Sequence, residues 1–159
     1  MPGWRPAAGC ERAQQIPALM ITICDTGPLL AYLNRNDPYH AWAEKLMKLV
    51  RPPMLVCEPV LTEVLYFLRE DGLTVDPLFQ LIEREAIRLK FDLSAHWPRI
   101  RTLLSRYRQL DLADASIVGM SELHPRSQVL TFDHRDFSVY RRNDRQVIDF
   151  LSPGGVRRR

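Results

Sequence analysis

Four acidic residues carry the chemistry this chain could perform: Asp25, Glu63, Asp114 and Asp133. Asp25 closes the apolar run Met20-Ile-Thr-Ile-Cys24, and Asp133 closes the similar run Val129-Leu-Thr-Phe132. Glu63 lies early in the helical pattern Val60-Leu-Thr-Glu-Val-Leu-Tyr-Phe-Leu68, and Asp114 lies within Asp111-Leu-Ala-Asp-Ala-Ser-Ile-Val118. A carboxylate at the end of a buried strand costs folding energy unless something neutralises it. With no lysine or arginine matched to these acids, a divalent cation is the fitting partner. Hard oxygen donors suit Mg2+ or Mn2+. Such an ion lowers the pKa of a bound water and stabilises charge on a phosphate oxygen, which is nuclease or phosphatase chemistry. The pattern is compatible with one ion or two.

Each acid also has an ordinary role open to it. Asp25 can cap a helix, Asp114 can favour a helix N-terminus, Asp133 can cap a loop, and Glu63 can be a surface residue. Those roles taken separately do not explain why all four fall in register with α/β boundaries. Thr26 and Thr131 each stand within two residues of a key aspartate and could orient its carboxylate or a bound water. Asp111, one helical turn before Asp114, is expected as a helix cap or an outer ligand. Asp136 is expected to cap the short turn after it.

The elements that would position these side chains alternate between strand-like and helix-like patterns. That alternation predicts an α/β fold with a mostly parallel sheet of four to five strands and helices on its faces. Strands are expected at residues 21–24, 54–57, 87–91 and 128–132, with an edge strand at 147–150. Helices are expected from Thr26, from near Pro38 with Asp37 as cap, from Pro59, from Thr74, over 97–107 and from Asp111. Trp42, Leu46, Leu49 and Val50 should be buried on the second of these. The helix after Pro59 is apolar nearly all round and should be covered on more than one side, enclosing Glu63 in part. Trp97, Ile100, Leu103, Leu104 and Tyr107 should form one apolar face, and the small residues Ala113, Ala115, Ser116 and Gly119 should permit close packing. In open parallel sheets ligands collect beyond the carboxyl ends of the strands, where Asp25 and Asp133 stand.

At 159 residues the chain fits one domain with a real core. No apolar run approaches the roughly 20 residues that span a bilayer, so no membrane partner is expected. The formal charge of +3 is matched by Arg157, Arg158 and Arg159 alone, which leaves any basic surface local. Three cysteines, Cys10, Cys24 and Cys57, give neither a disulfide framework nor a metal spacing. Cys24 and Cys57 read as reduced core thiols, and a redox pair requires only that their strands be neighbours. A cytoplasmic setting fits this usage. Residues 1–19 do not read as a secretory signal and are expected to be a flexible extension or an early start, residues 20–151 the folded domain, and residues 152–159 a basic tail.

These blocks together resemble the PIN-domain ribonucleases, in particular the VapC-type toxins of bacterial toxin–antitoxin pairs. The resemblance rests on Asp25-Thr-Gly-Pro-Leu-Leu-Ala31, Leu61-Thr-Glu-Val64, Asp111-Leu-Ala-Asp-Ala-Ser-Ile-Val118 and Thr131-Phe-Asp-His-Arg-Asp-Phe137. It covers nearly everything from Met20 to Phe150, while the segment before Met20 departs from the usual start of that family. It implies a PIN-like three-layer α/β/α fold and an acidic quartet of Asp25, Glu63, Asp114 and Asp133. By the same resemblance the quartet binds Mg2+ or Mn2+ for RNA phosphodiester cleavage, the chain forms a homodimer, and a cognate antitoxin blocks the site.

RNA phosphates could be met by Arg99, Arg101, Arg106, Arg108, Arg141, Arg142 and Arg145, although each alone reads as a solvated charge paired with Glu or Asp. His134 is the one histidine expected near the site. Two other readings compete. A catalytically silent PIN-like module would bind RNA or protein without cutting, against which the intact quartet argues. A phosphatase or response-regulator-like domain would need paired acids by the first strand and a lysine after a late one. Here Thr22-Ile-Cys24 precedes Asp25, and His134-Arg135 follows Asp133.

Overall fold

A computed structural model describes residues 20–153. The expectations placed on residues 1–19, on Cys10 and on the arginine tail lie outside those residues. Within them the elements run β1 (Ile21–Cys24), α1 (Thr26–Leu33), α2 (His40–Leu49), β2 (Met54–Val56), α3 (Glu58–Glu70), α4 (Asp76–Glu83) and β3 (Ile87–Leu89). They continue α5 (Leu93–Arg106), α6 (Leu112–Leu123), β4 (Ser127–Leu130), α7 (His134–Phe137), β5 (Arg141–Arg142), β6 (Gln146–Val147) and β7 (Asp149–Leu151).

The central sheet has the order β3-β2-β1-β4-β7, and every neighbouring pair is parallel. Strands buried on both faces of such a sheet lose the apolar–polar alternation, which is why β2 and β4 are buried throughout. Polar side chains survive there by pairing across strands: Thr22 and Gln128 are register partners, and Gln128 Nε2 donates to Thr22 Oγ1 at 3.2 Å. The chain steps from β1 to β2 to β3 in one direction and then crosses back to place β4 on the other side of β1. Right-handed crossovers therefore put the connecting helices on opposite faces, giving the three-layer α/β/α arrangement. The reversal also makes the carboxyl edge of β1 and β4 the switch point of the sheet.

Several packing expectations hold. Ala113, Ala115 and Ser116 are buried on α6, and a Cβ on Gly119 would lie 3.2 Å from the Phe91 ring. Cys24 and Cys57 are buried, free thiols at the ends of the neighbouring strands β1 and β2. Burial pushes Cys24 up and Cys57 up to about 12, away from the reactive thiolate.

Others fail for identifiable reasons. Helix α3 is covered along one stripe, Val60, Val64 and Leu68, and leaves Tyr66 and Phe67 exposed at 58% and 43%. Leu49, Trp97 and Leu104 are also exposed, because the elements packed on α2 and α5 reach only part of each apolar face. Helix α2 starts at His40 with Tyr39 as its cap, while Asp37 accepts the Tyr39 amide at 2.8 Å. Helix α5 starts at Leu93, earlier than expected, capped by Asp92 and running through Pro98. The expected strand at 147–150 divides in two: Val147 pairs with Arg141 in the β5-β6 hairpin, and the edge strand is β7.

Candidate metal and nucleic-acid site

Asp25 is the first residue past β1 and the cap of α1, so strand end and helix start fix it together. Its Oδ1 accepts the Thr26 amide at 2.6 Å, and its Oδ2 accepts the Thr131 hydroxyl at 2.6 Å. The same Thr131 oxygen accepts the Asp133 amide at 3.0 Å. One buried hydroxyl thus spends its proton on Asp25 and a lone pair on Asp133, tying the ends of β1 and β4 together. Thr26 plays the parallel part for the helix layer, donating its hydroxyl to Glu63 Oε2 at 2.7 Å. Glu63 reaches this point from the second turn of α3, which follows β2 and packs against α1.

Asp114 sits in the first turn of α6, whose cap is Asp111; the Asp111 Oδ1 accepts the Asp114 amide at 2.8 Å. Its own Oδ2 accepts the Tyr140 hydroxyl at 3.2 Å. Asp133 is exposed and caps α7, accepting the Asp136 amide at 3.1 Å. This reverses the expectation for Asp136, which lies inside the turn that Asp133 caps. Capping does not compete with a site role here, because a cap holds the carboxylate in place at the sheet edge.

Asp25, Glu63, Asp111, Asp114, Asp133 and Asp136 line one cleft of about 1380 Å³, with Thr26, Gly27, Phe67, Gln109, Phe132, His134 and Arg135 among its other walls. Among the described residues none of these six carboxylates forms an ion pair. Three of them, Asp25, Asp114 and Asp136, have raised pKa values, with burial the largest cause in each. Burial pushes Asp114 up to about 8, with Asp25 and Asp111 adding repulsion and the Tyr140 hydrogen bond pulling the other way. Burial likewise lifts Asp25 to about 6 against its hydrogen bonds from Thr131 and Thr26, with Glu63 and Asp111 adding to the rise. Asp136 is raised by burial and by Asp133.

Oxygen donors carrying this much unneutralised charge fit a divalent cation. Among the described residues no group of three or more His, Cys, Asp or Glu side chains closes on a point as a direct cage. The donor set therefore suits an ion that keeps several waters and is held through one or two carboxylates, as Mg2+ is.

The arginines expected at RNA phosphates are not brought to this cleft. Arg99 binds Glu122 at 2.7 Å and Asp144 at 2.9 Å, and Arg106 binds Asp144 at 2.9 Å. Arg141 donates to the carbonyls of Ser138 and Tyr140. Arg142 is only 4% exposed and donates to the carbonyls of Pro125 and Ser127. The arginine that does line the cleft is Arg135, next to His134. Sequence reasoning also missed Tyr140, whose buried ring packs edge-on against Tyr107 and Phe137 and aims its hydroxyl at Asp114. Nothing in its sequence neighbourhood distinguishes it from an ordinary core tyrosine.

A family model described as PIN domain matches residues 22–143, more than half of the chain. Among curated proteins nothing matches the chain. No helix among the described residues is long and apolar enough to cross a membrane.

Proposed function

The chain belongs to the PIN-domain family, and from that premise we propose that it is a divalent-metal-dependent endoribonuclease built on Asp25, Glu63, Asp114 and Asp133. PIN domains are generally nucleases and typically use divalent metal ions. The observation that carries the reading is the cleft itself: six carboxylates at the switch point of a parallel sheet, none in an ion pair among the described residues. Buried charges are ordinarily paired or bound to a metal ion.

When bound, Mg2+ or Mn2+ supplies a water of lowered pKa and a counter-charge for the phosphate. The chain's own part is positional. Thr131 and the Thr26 amide fix both oxygens of Asp25, and the Thr26 hydroxyl fixes Glu63. Tyr140 restrains one oxygen of Asp114, which lines the cleft. Asp133, exposed at the rim, completes the quartet. Arg135 supplies a positive charge at the cleft for a phosphate, with the His134 ring beside it. We assign the chain the role of toxin in a toxin–antitoxin pair, as a homodimer whose antitoxin covers this cleft, on the strength of the four sequence blocks.

The test is cleavage of a broad RNA panel by purified protein with Mg2+ or Mn2+. Asp25→Ala and Asp114→Ala should each lower the rate by about 100-fold or more, the scale of losing a group that stabilises transition-state charge. Asp→Asn versions separate charge from packing. Well-folded wild type that cuts no RNA, or variants that cut as well as wild type, would sink the nuclease reading. Coexpression with the product of the adjacent gene tests the toxin assignment: growth arrest that this product does not relieve counts against it.

A further inference from the structure

A second cleft, of about 510 Å³, lies at the far end of α1 from the carboxylates, lined by Tyr32, Arg35, His40, Gln80, Arg84 and Glu44 with apolar neighbours. Its floor is built from three helices. Gln80 on α4 stands one turn before Arg84, the residue that caps that helix; His40 and Glu44 stand one turn apart on α2, and Tyr32 comes from the last turn of α1. Among the described residues the guanidinium groups of Arg35 and Arg84 make no ion pair or hydrogen bond. The acid beside them, Glu44, is engaged by Lys48 at 3.3 Å. The His40 ring is fixed by a 2.8 Å bond from Nδ1 to the Ala31 carbonyl, which leaves its other nitrogen for a ligand.

We propose that this cleft is a strand-binding subsite that holds single-stranded RNA flanking the bond cut in the acidic cleft, with Arg35 and Arg84 on phosphates and the Tyr32 ring against a base. The inference rests on the nuclease reading of the acidic cleft. That cleft repels a polyanion and offers only Arg135 and His134 in return, so affinity for the strand must come from elsewhere. Arg99, Arg106, Arg141 and Arg142 are occupied by carboxylates or carbonyls, whereas Arg35 and Arg84 share a concavity with an aromatic ring and an amide. Guanidinium groups beside an aromatic surface are what unpaired nucleotides use. One packed apolar cluster connects the walls of the two clefts. Tyr32 packs with Tyr39 and Trp42 on the Ala31, Ala43 and Phe132 cluster, and Phe132 is itself a wall of the acidic cleft. Helix α1, running from Thr26 to Leu33, sets their separation at roughly 12 Å, a span of a few nucleotides.

The test measures binding without cleavage. Full-length protein in EDTA is titrated with a fluorescein-labelled single-stranded RNA across a salt series, as wild type, Arg35→Ala/Arg84→Ala and Arg35→Lys/Arg84→Lys. Each lost phosphate contact should reduce the slope of log K against log salt by about 0.7, and the alanine pair should bind on the order of tenfold more weakly at low salt. The lysine pair should keep the slope, and Tyr32→Ala should weaken binding with the slope unchanged. An alanine pair with wild-type affinity and slope overturns the subsite, even where wild type cleaves RNA. Binding that weakens in the alanine pair upholds the subsite where wild type cleaves RNA; where no RNA is cleaved it upholds strand binding alone, and the nuclease reading falls separately.

Discussion

Two charged regions of this molecule solve the same electrostatic problem in opposite ways. On one side Arg99, Glu122, Asp144 and Arg106 form a closed network in which every charge meets its opposite. Glu122 is held further by the Asn143 amide at 2.8 Å. Its effect is to raise Arg99, first through the Glu122 hydrogen bond, and to lower Asp144, first through the Arg99 hydrogen bond. At the edge of β1 and β4 Asp25 and Asp114 have hydrogen-bond donors but no ion pair among the described residues, and burial raises the pKa of both. Hydrogen bonds there fix geometry and offset only part of the cost of burying the charge. The contrast teaches how to separate a structural charge cluster from a functional one: the first is complete, and the second is complete only with its ligand.

The sharpest way to break that contrast is to add the ion. At one hundred times its Kd, Mg2+ or Mn2+ should stabilise the wild type by about 2.7 kcal/mol, on the order of 5–10 °C in Tm. Asp25→Asn and Asp114→Asn should lose most of this rise, and Arg99→Ala should keep it. A calorimetric Tm that neither ion moves would place the acidic cleft among ordinary charge clusters. Breaking the closed network has a smaller effect. Arg99→Ala removes the counter-charge from Glu122, whose side chain is only 10% exposed, and should cost about 1–2 kcal/mol in urea unfolding. No change would mean that the network is solvated and contributes nothing.

The same two regions differ in how much of them the sequence discloses. Asp25 and Asp133 are readable because each ends an apolar run, and the run, the strand and the sheet edge coincide. The linkage through Thr26 and Thr131 follows from short separations along the chain to one partner. Its other half spans 37 residues to Glu63 and 106 to Asp25, and comes only with the fold. Tyr140 reaches Asp114 across 26 residues and is silent in sequence for the same reason. The β5-β6 hairpin is too short to carry a periodic pattern. Its turn does leave a signal in Asn143-Asp144, the two residue types that, after glycine, most readily take the positive φ of 48° and 65° found there. The exposed apolar residues Tyr66, Phe67, Leu49 and Trp97 were hidden differently: periodicity shows which face is apolar, not how much of it a neighbour covers.

The subtlest consequence of the contrast is a pair of opposite pH dependences in metal-free protein. Asp114 at about 8 and Asp25 at about 6 both lie above the ordinary 3.8, so the folded state binds more protons than the unfolded state between those values. Stability then falls with rising pH. The contribution is fully present below about pH 4 and is lost as pH rises through the folded values. Asp144 runs the other way, because a lowered pKa gives a contribution present above the ordinary value and lost as pH falls through the depressed one. In EDTA the wild-type Tm should therefore decline toward alkaline pH by a few degrees, and separately in acid. Asp114→Asn should flatten the alkaline decline and leave the acid one, whereas Arg99→Ala should reduce the acid decline and leave the alkaline one. Saturating Mg2+ should remove the alkaline decline in wild type, since the ion favours the ionised carboxylates. Parallel Tm profiles for wild type and Asp114→Asn would show that Asp114 ionises without strain, and the distinction between the two charged regions would lose its electrostatic basis.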